Sequence, residues 1–408
     1  MTAEITTSCR SCGEPYLQLV IDLGEQPLAN SYHRGEVSGE KTYPLKVLSC
    51  PGCTLLQLSM RVDPRDMFDD YLYLSSYSTG MVQEMTELAD RLVTGRSLGA
   101  DALVVEVASN DGYLLKHYVA AGVPVLGIEP AERPALIARQ LGVNTRIEYF
   151  GRGLAAQLVD DGIRADVLHA NNVLAHVPDI NDFVSGIATL LAEDGLAVIE
   201  TPYAVDMIAK SAFDTIYHEH VFYYTVTALQ SLFLRHGLTI DAVERVSHHG
   251  GSLRLQVVHG SEPGESAETL LAREAELHVG SARWYSAFPE AAARVCSDLL
   301  GWLAQQAEAG RTVAGYGAAA KGTVLLNRAA VGEDRVAFVV DLNPAKQGLR
   351  MPGTGQEILA VEELLSRNPA SCIVLAWNHA SEVYAQLHEY RSRGGELFVA
   401  VPQMRQLP

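Results

Sequence analysis

Eight consecutive residues, Tyr217 to Tyr224, include two histidines, one glutamate and three tyrosines. The set is Tyr217, His218, Glu219, His220, Tyr223 and Tyr224. Histidine exchanges a proton near neutral pH, and a carboxylate or phenol beside it orients the ring or holds substrate oxygens. His176 and the pair His248/His249 belong to other loops that could converge on the same place. The plainer reading is a covering loop with packed aromatics and solvated histidines. That reading suits any one of these histidines alone; the cluster favours acid–base chemistry. A metal at the His-x-His step lacks an evident third ligand.

Cys9-x-x-Cys12 and Cys50-x-x-Cys53 are the most specific spacing in the chain. Each pair offers two sulfurs from one tight turn, and two such turns close a tetrahedral structural zinc site. The second turn reads Cys-Pro-Gly-Cys, and Gly13 follows the first. Disulfides or a redox pair are the alternatives. The N-terminus shows no basic stretch followed by an apolar one, so the sequence points to a reducing cytoplasm and to thiolates. Four thiolates leave zinc no open position, so this metal shapes structure and does no chemistry. Cys296 and Cys372 lie in apolar runs and read as buried thiols.

The segment VVEVASNDGYLL reads as a strand, a polar turn and a helix start. Glu106 closes the strand, Asn110, Asp111 and Gly112 form the turn, and Glu129 ends the next strand. An acidic residue there accepts hydrogen bonds from vicinal ribose hydroxyls. NAD and S-adenosylmethionine (SAM) both carry that ribose. A pyrophosphate needs a glycine-rich turn, whereas this turn carries Ala108 and the carboxylate of Asp111. The charge and shape suit the sulfonium and ammonium of SAM. Asn171 and Asn172, at the end of the fourth strand, are the next candidates to face the methyl donor. An ordinary strand–turn–helix is the bland alternative.

A second strand–glycine turn–helix follows in VAGYGAAAKG. Gly315, Tyr316, Gly317 and Gly322 would let backbone amides approach a phosphate at a helix N-terminus, with Lys321 adding charge. Asp341 could meet a ribose, and Lys346 and Arg350 add cations. One glycine turn is weak evidence alone. Beside a SAM-type turn, it points to a substrate with a nucleotide or diphosphate handle.

The elements that must position these groups are legible as periodicity. Short strands surround the cysteines up to about residue 70, and a helical connector follows. From residue 101 apolar strands alternate with helices, implying a parallel sheet covered on both faces. The helix beginning near FVSG is expected to run to Gly195. Helices fill 264–310, and a second β-α series follows. The expected domains are 1–72 (zinc), 73–240 (SAM) and 241–408 (nucleotide sugar).

The chain has 408 residues, 48% hydrophobic and 20% charged, an ordinary globular composition. Its net charge of −18 argues against a nucleic-acid partner. No apolar run reaches the length of a membrane span. Three modules in one chain favour a monomer.

Six motifs in order, CRSC with CPGC, VVEVASNDG, NNVLAHVPD, IYHEHVFYYT, HGGSLR and GYGAAAKG, resemble one family over nearly the whole chain. It is the family of zinc-containing, SAM-dependent C-methyltransferases that act on dTDP-linked 4-keto-deoxysugars in actinomycete antibiotic pathways. The resemblance implies a class I methyltransferase Rossmann-like sheet, an N-terminal zinc-binding module and a C-terminal second Rossmann-like α/β domain. It implies His220 as the base, Glu219 and Tyr217 beside it, and His176 and Tyr73 lining the sugar pocket. Tyr77 and His249 join the expected substrate contacts. The cofactors implied are SAM and structural zinc. Methylation at the carbon alpha to the ketone, C-3 first, is the expected reaction. The rivals are O- or N-methylation of a nucleotide sugar, an NAD-dependent sugar-nucleotide enzyme, and a non-catalytic zinc adaptor.

Overall fold

The computed structural model describes residues 4–35, 39–63, 74–77, 79–246 and 250–408, the side chains of 77 and 79 excepted. Tyr73, His248 and His249 lie outside the described residues, as does the side chain of Tyr77.

The central sheet has seven strands. Its parallel part pairs Val104–Val107 with Val125–Ile128 on one side and Ala165–Asn171 on the other, with Thr145–Arg146 and Leu191–Pro202 beyond them. The antiparallel hairpin Leu238–Val246 and Ser252–His259 completes the other edge. Numbered in chain order, the strands lie 3-2-1-4-5-7-6. Alternate residues of each strand enter two cores: Val105, Leu126, Leu168 and Ile199 face one layer of helices, and Val104, Val125, Val167 and Val198 the other. Burial on both faces explains why these strands are apolar without alternation.

Two differences from the sequence expectation have local causes. The helix Ile180–Leu190 stops before Gly195, and Leu191 already pairs with Ala165. Gly195 lies so close to its neighbours that a Cβ there would sit 2.8 Å from the Ala165 carbonyl oxygen. The position 240/241, expected as a boundary, falls inside the strand Leu238–Val246. The hairpin that follows is hydrogen-bonded into the central sheet, which therefore ends at His259.

The cysteine-bearing segment forms the strands Gln18–Pro27, Thr42–Ser49 and Leu56–Leu58. The fourth strand of that sheet is Phe222–Tyr223, which pairs antiparallel with Leu56–Leu58. The histidine-rich segment thus ends in a strand of the N-terminal sheet.

The C-terminal sheet has the order Ile358–Leu359, Val339–Val340, Val313–Tyr316, Ser371–Val374, Glu396–Val399, Arg405–Gln406, parallel except for the last pair. One apolar core joins its face (Val313, Val339, Ile373) to the N-terminal sheet (Val20, Val47, Leu56) and to Phe213, Ile216 and Tyr223. The long helix Phe288–Glu308 packs into the same core through Val295, Leu299 and Trp302. No helix among the described residues is long and apolar enough to cross a membrane.

Candidate active site

The histidine-rich segment leaves the central sheet after Pro202, makes the short turn Phe213–Thr215 and enters its N-terminal strand at Phe222. That path brings His220 Nε2 within 2.8 Å of the Tyr217 hydroxyl and His220 Nδ1 within 3.2 Å of the Thr215 carbonyl oxygen. A carbonyl only accepts, so Nδ1 carries the hydrogen and Nε2 accepts from the phenol. Nε2 is therefore the basic atom. The His176 ring lies 4.7 Å from the His220 ring, and that of Tyr223 6.3 Å. His176 arrives from the loop after Ala165–Asn171, where Val221 N–H donates to the Ala175 carbonyl and ties the two loops together. Burial pushes His176 down to about 4, so it stays neutral beside His220.

The other members of the cluster separate by direction. Glu219 is buried and accepts from Asn30 Nδ2 at 3.0 Å; desolvation raises its pKa. His218 is buried against Tyr43 of the N-terminal sheet and is pushed down to about 4. The Tyr224 hydroxyl donates to the Leu174 carbonyl inside the core. His218 and Tyr224 are packing residues, whereas Tyr217, His220 and His176 share one face.

The first nucleotide-type turn sits at the carboxyl ends of the parallel strands, the place where such sheets bind ligands. Ala108 (φ 55°), Asn110 (φ 48°) and Gly112 (φ 77°) all adopt left-handed backbone. For Ala108 that geometry costs about 1–2 kcal/mol, which glycine would avoid. Gly112 also meets the next helix closely, its missing Cβ being 3.1 Å from that of Ala138. The Glu129 carboxylate accepts the amides of Asn110 and Ala131, both at 2.9 Å. Each carboxylate oxygen keeps a second lone pair for a ribose hydroxyl. Burial drives Glu106 well above the ordinary carboxyl range, with Tyr113 and Asn171 opposing the shift. Asn110 Oδ1 and Asp111 Oδ2 accept the amides of Ser75 and Ser76, which docks the Ser75–Tyr77 turn on the loop.

Asn172 (φ 54°) donates its side-chain amide to Glu200, 3.2 Å away. Glu200 in turn pairs with Arg254, the arginine of the HGGSLR segment, at 2.9 Å. The Oδ1 atoms of Asp111 and Asn172 are buried with no hydrogen-bond partner among the described residues. Unmet acceptors at this edge fit a cationic ligand and would repel a diphosphate, so the turn fits SAM.

The four cysteine sulfurs lie within 4.8 Å of one another. Cys9–Cys53 is 3.6 Å and Cys12–Cys50 3.5 Å, far beyond disulfide length. Tetrahedral zinc at about 2.3 Å from each sulfur needs S···S near 3.8 Å, so the set fits the ion. Turn hydrogen bonds Gly13 N–H to Cys9 and Thr54 N–H to Cys50 shape both knuckles.

The second glycine turn works differently from its sequence reading. The amides of Gly315 and Gly317 are spent on the Phe338 and Val340 carbonyls within the sheet. Gly317 is left-handed (φ 91°), and a Cβ at Gly322 would strike Leu375 at 2.9 Å. These glycines permit packing; the first turn of the helix Ala320–Arg328 is the part of this motif where an anion could meet amides. Tyr316 is turned into the core, its hydroxyl on Gln386. Asp341 accepts the amides of Ala318 and Asn343 at 2.8 Å. Lys346 donates to the Ala318 carbonyl and lies 5.0 Å above the Tyr32 ring. Arg350 is bound to Glu333 and the Gly355 carbonyl, both at 2.6 Å, which commits it to neighbouring loops of its own domain. Lys321 donates to Asn378 at 2.9 Å, and burial lowers its pKa to about 8.

Asn30, Tyr32, Thr215, Asp214 and Trp377 were not identifiable from sequence. Tyr32 donates to the Ala318 carbonyl at 2.5 Å, and Trp377 Nε1–H to Asp214 at 2.7 Å. The first contact ties the glycine turn to the N-terminal segment and the second ties the C-terminal domain to the turn before the histidine segment, yet their partners lie 163 or more residues apart.

The strand order and the SAM-type turn define a class I methyltransferase carrying a zinc knuckle and a second α/β unit. Three families match successive segments: a zinc-binding domain at 9–68, a methyltransferase domain at 79–243 and a C-methyltransferase C-terminal domain at 247–402. The C-methyltransferase NovU of Streptomyces niveus is 32% identical over 402 residues, 97% of this chain and 96% of that one. The chain belongs to this C-methyltransferase family and is SAM-dependent. A ubiquinone biosynthesis O-methyltransferase of Rhodopseudomonas palustris shares 26% identity, over 24% of this chain and 39% of its own. Magnesium protoporphyrin IX methyltransferase of Synechocystis PCC 6803 superposes with TM-score 0.36 at 16% identity, over 49% of this chain and 99% of that chain.

Proposed function

We propose that the protein C-methylates a dTDP-linked 4-keto-deoxysugar at the carbon alpha to the ketone, C-3 first, in antibiotic deoxysugar biosynthesis. The supporting observation is the Thr215–His220–Tyr217 chain beside His176, in a chain that also carries a SAM-type turn and a second nucleotide-type turn. A carbon-bound hydrogen is too weakly acidic for imidazole unless a neighbouring ketone delocalises the charge. His220 Nε2 takes that proton, and the Thr215 carbonyl stabilises the imidazolium through Nδ1–H. The Tyr217 hydroxyl, released from Nε2, donates to the enolate oxygen as its charge grows. His176, neutral near pH 7, adds no competing positive charge. SAM supplies the electrophilic methyl group, cradled by Glu129, Asp111, Asn171 and Asn172 with Glu106, Ala108, Asn110 and Gly112 forming the turn.

Lys321 and the helix it opens hold the diphosphate, with Asp341 and Lys346 at the nucleoside end. Zinc on Cys9, Cys12, Cys50 and Cys53 braces the strand that carries Phe222 and Tyr223. The chain acts as a cytoplasmic monomer. Mass spectrometry of product formed in heavy water tests the reaction. Gain of one methyl with loss of one carbon-bound hydrogen is expected. Methyl gain with every carbon-bound hydrogen retained would mean O- or N-methylation and end the proposal.

A further inference from the structure

Trp377 stands in the short turn Trp377–His379 after the strand Ser371–Val374, on the C-terminal domain. Its indole N–H donates to Asp214 Oδ2 at 2.7 Å. Asp214 is fully buried in the turn Phe213–Thr215, on the other domain. The face of the indole ring lies under Lys321, whose Nζ is 4.9 Å from the ring centroid and is close enough to Asp214 for the two charges to act on each other. The six-membered edge of the same ring fills the space beside Gly250, where a Cβ would come within 2.6 Å of it. The helix Ala320–Arg328 also packs on the Phe213–Thr215 turn. The residue after Asp214 is Thr215, whose carbonyl oxygen accepts His220 Nδ1–H at 3.2 Å.

These contacts run without a break from the expected diphosphate contact, Lys321, to the expected base. We infer that Trp377 and Asp214 are positioning residues that couple the nucleotide handle at Lys321 to the orientation of His220. The inference rests on the reading of His220 as base. Asp214 holds the 213–215 turn at one height, and that height decides whether the Thr215 carbonyl meets Nδ1. A base held this way presents Nε2 to the substrate; a base released from it samples other tautomers and ring orientations. Binding energy from the non-reacting nucleotide would then be realised at the reacting carbon, in turnover more than in affinity.

The test uses the full chain with a dTDP-4-keto-deoxysugar and S-adenosylhomocysteine in heavy water, reading the rate of deuterium wash-in alpha to the ketone. Trp377→Phe keeps a ring under Lys321 but removes the N–H together with the five-membered part of the indole, so the Asp214 variants separate the loss of the hydrogen bond from the loss of bulk. Wash-in at saturating sugar nucleotide is expected to fall about tenfold, the usual effect of losing one hydrogen bond. The Kd for dTDP alone, by calorimetry, is expected to stay within about twofold of the parent. Asp214→Ala should match Trp377→Phe, the double variant should be no slower than either single one, and Asp214→Asn, which keeps an acceptor for the indole, should recover most of the rate. The Asp214 pair decides the matter should Trp377→Phe fold poorly. His220→Gln is run alongside. Wash-in abolished in His220→Gln but unchanged in Trp377→Phe and Asp214→Ala overturns the coupling while keeping the base. Wash-in persisting in His220→Gln removes the base assignment on which the coupling stands.

Discussion

At the scale of single residues, the site depends on which atom of each ring is committed. His220 Nδ1 is engaged by a carbonyl, so its basicity is at Nε2. His220→Gln is expected to abolish methyl transfer, with calorimetric binding of S-adenosylhomocysteine and dTDP unchanged. Near-parental turnover would refute the assignment. Tyr217→Phe removes the proposed donor for the enolate oxygen and should slow turnover by roughly a hundredfold or more, with a smaller change in KM. A loss confined to KM would show that the phenol only binds. The Tyr217, Glu219 and His220 group was legible because its members are neighbours in sequence. Thr215 and Asn30, which hold His220 and Glu219, were not: one acts through its backbone, the other from 189 residues away.

At the scale of elements, two supports hold the reactive groups. One is the pairing of Phe222–Tyr223 with Leu56–Leu58, just past the second zinc knuckle. Removal of zinc, by chelator or Cys50→Ser, should unmoor that strand and reduce activity in proportion to zinc content. Binding of S-adenosylhomocysteine by the central sheet should survive, and calorimetry with metal analysis checks both. The other support is the buried network of Arg254, 5% exposed in its side chain, with Glu200 and Glu84. Removing the cation leaves a buried carboxylate uncompensated, which costs about 3–5 kcal/mol. Arg254→Met should lower stability by that order and weaken S-adenosylhomocysteine binding through Asn172. Pairing it with Glu200→Gln should restore part of the stability in urea unfolding. The HGGSLR motif was visible in sequence, but its arginine's role depends on Glu200, 54 residues upstream on the neighbouring strand.

At the scale of the whole molecule, the modules are joined through shared apolar cores and have one pH response. His169, His176 and His218 are buried, and desolvation holds them near 3, 4 and 4. Their folded pKa values lie below the unfolded value of about 6.5. The unfolded chain therefore takes up protons first, and stability present above that value is lost as pH falls toward about 4. Glu106, Glu129 and Glu219 are raised by burial and oppose part of this loss, because their folded forms hold protons longer. Each buried histidine should cost about 1 kcal/mol between pH 7.5 and 5.5. His218→Asn should shrink that loss by about the same amount in urea titrations at the two pH values. An unchanged difference would mean that His218 is not neutral in the folded protein.

Local pattern in the sequence determined the knuckles, the apolar strands, the helices between them and the two strand–turn–helix sites. Each depends on residues within one element or one turn, where spacing alone dictates geometry. Tertiary structure decided what those parts do to one another. It made Phe222–Tyr223 a strand of the zinc-bearing sheet and placed Trp377 on Asp214. It spent the amides of Gly315 and Gly317 inside the sheet, turned Tyr316 into the core and bound Arg350 to Glu333. A glycine or an arginine reads the same in sequence whether its N–H groups face a ligand or a neighbour. Only the packing of distant strands determines which partner reaches it first.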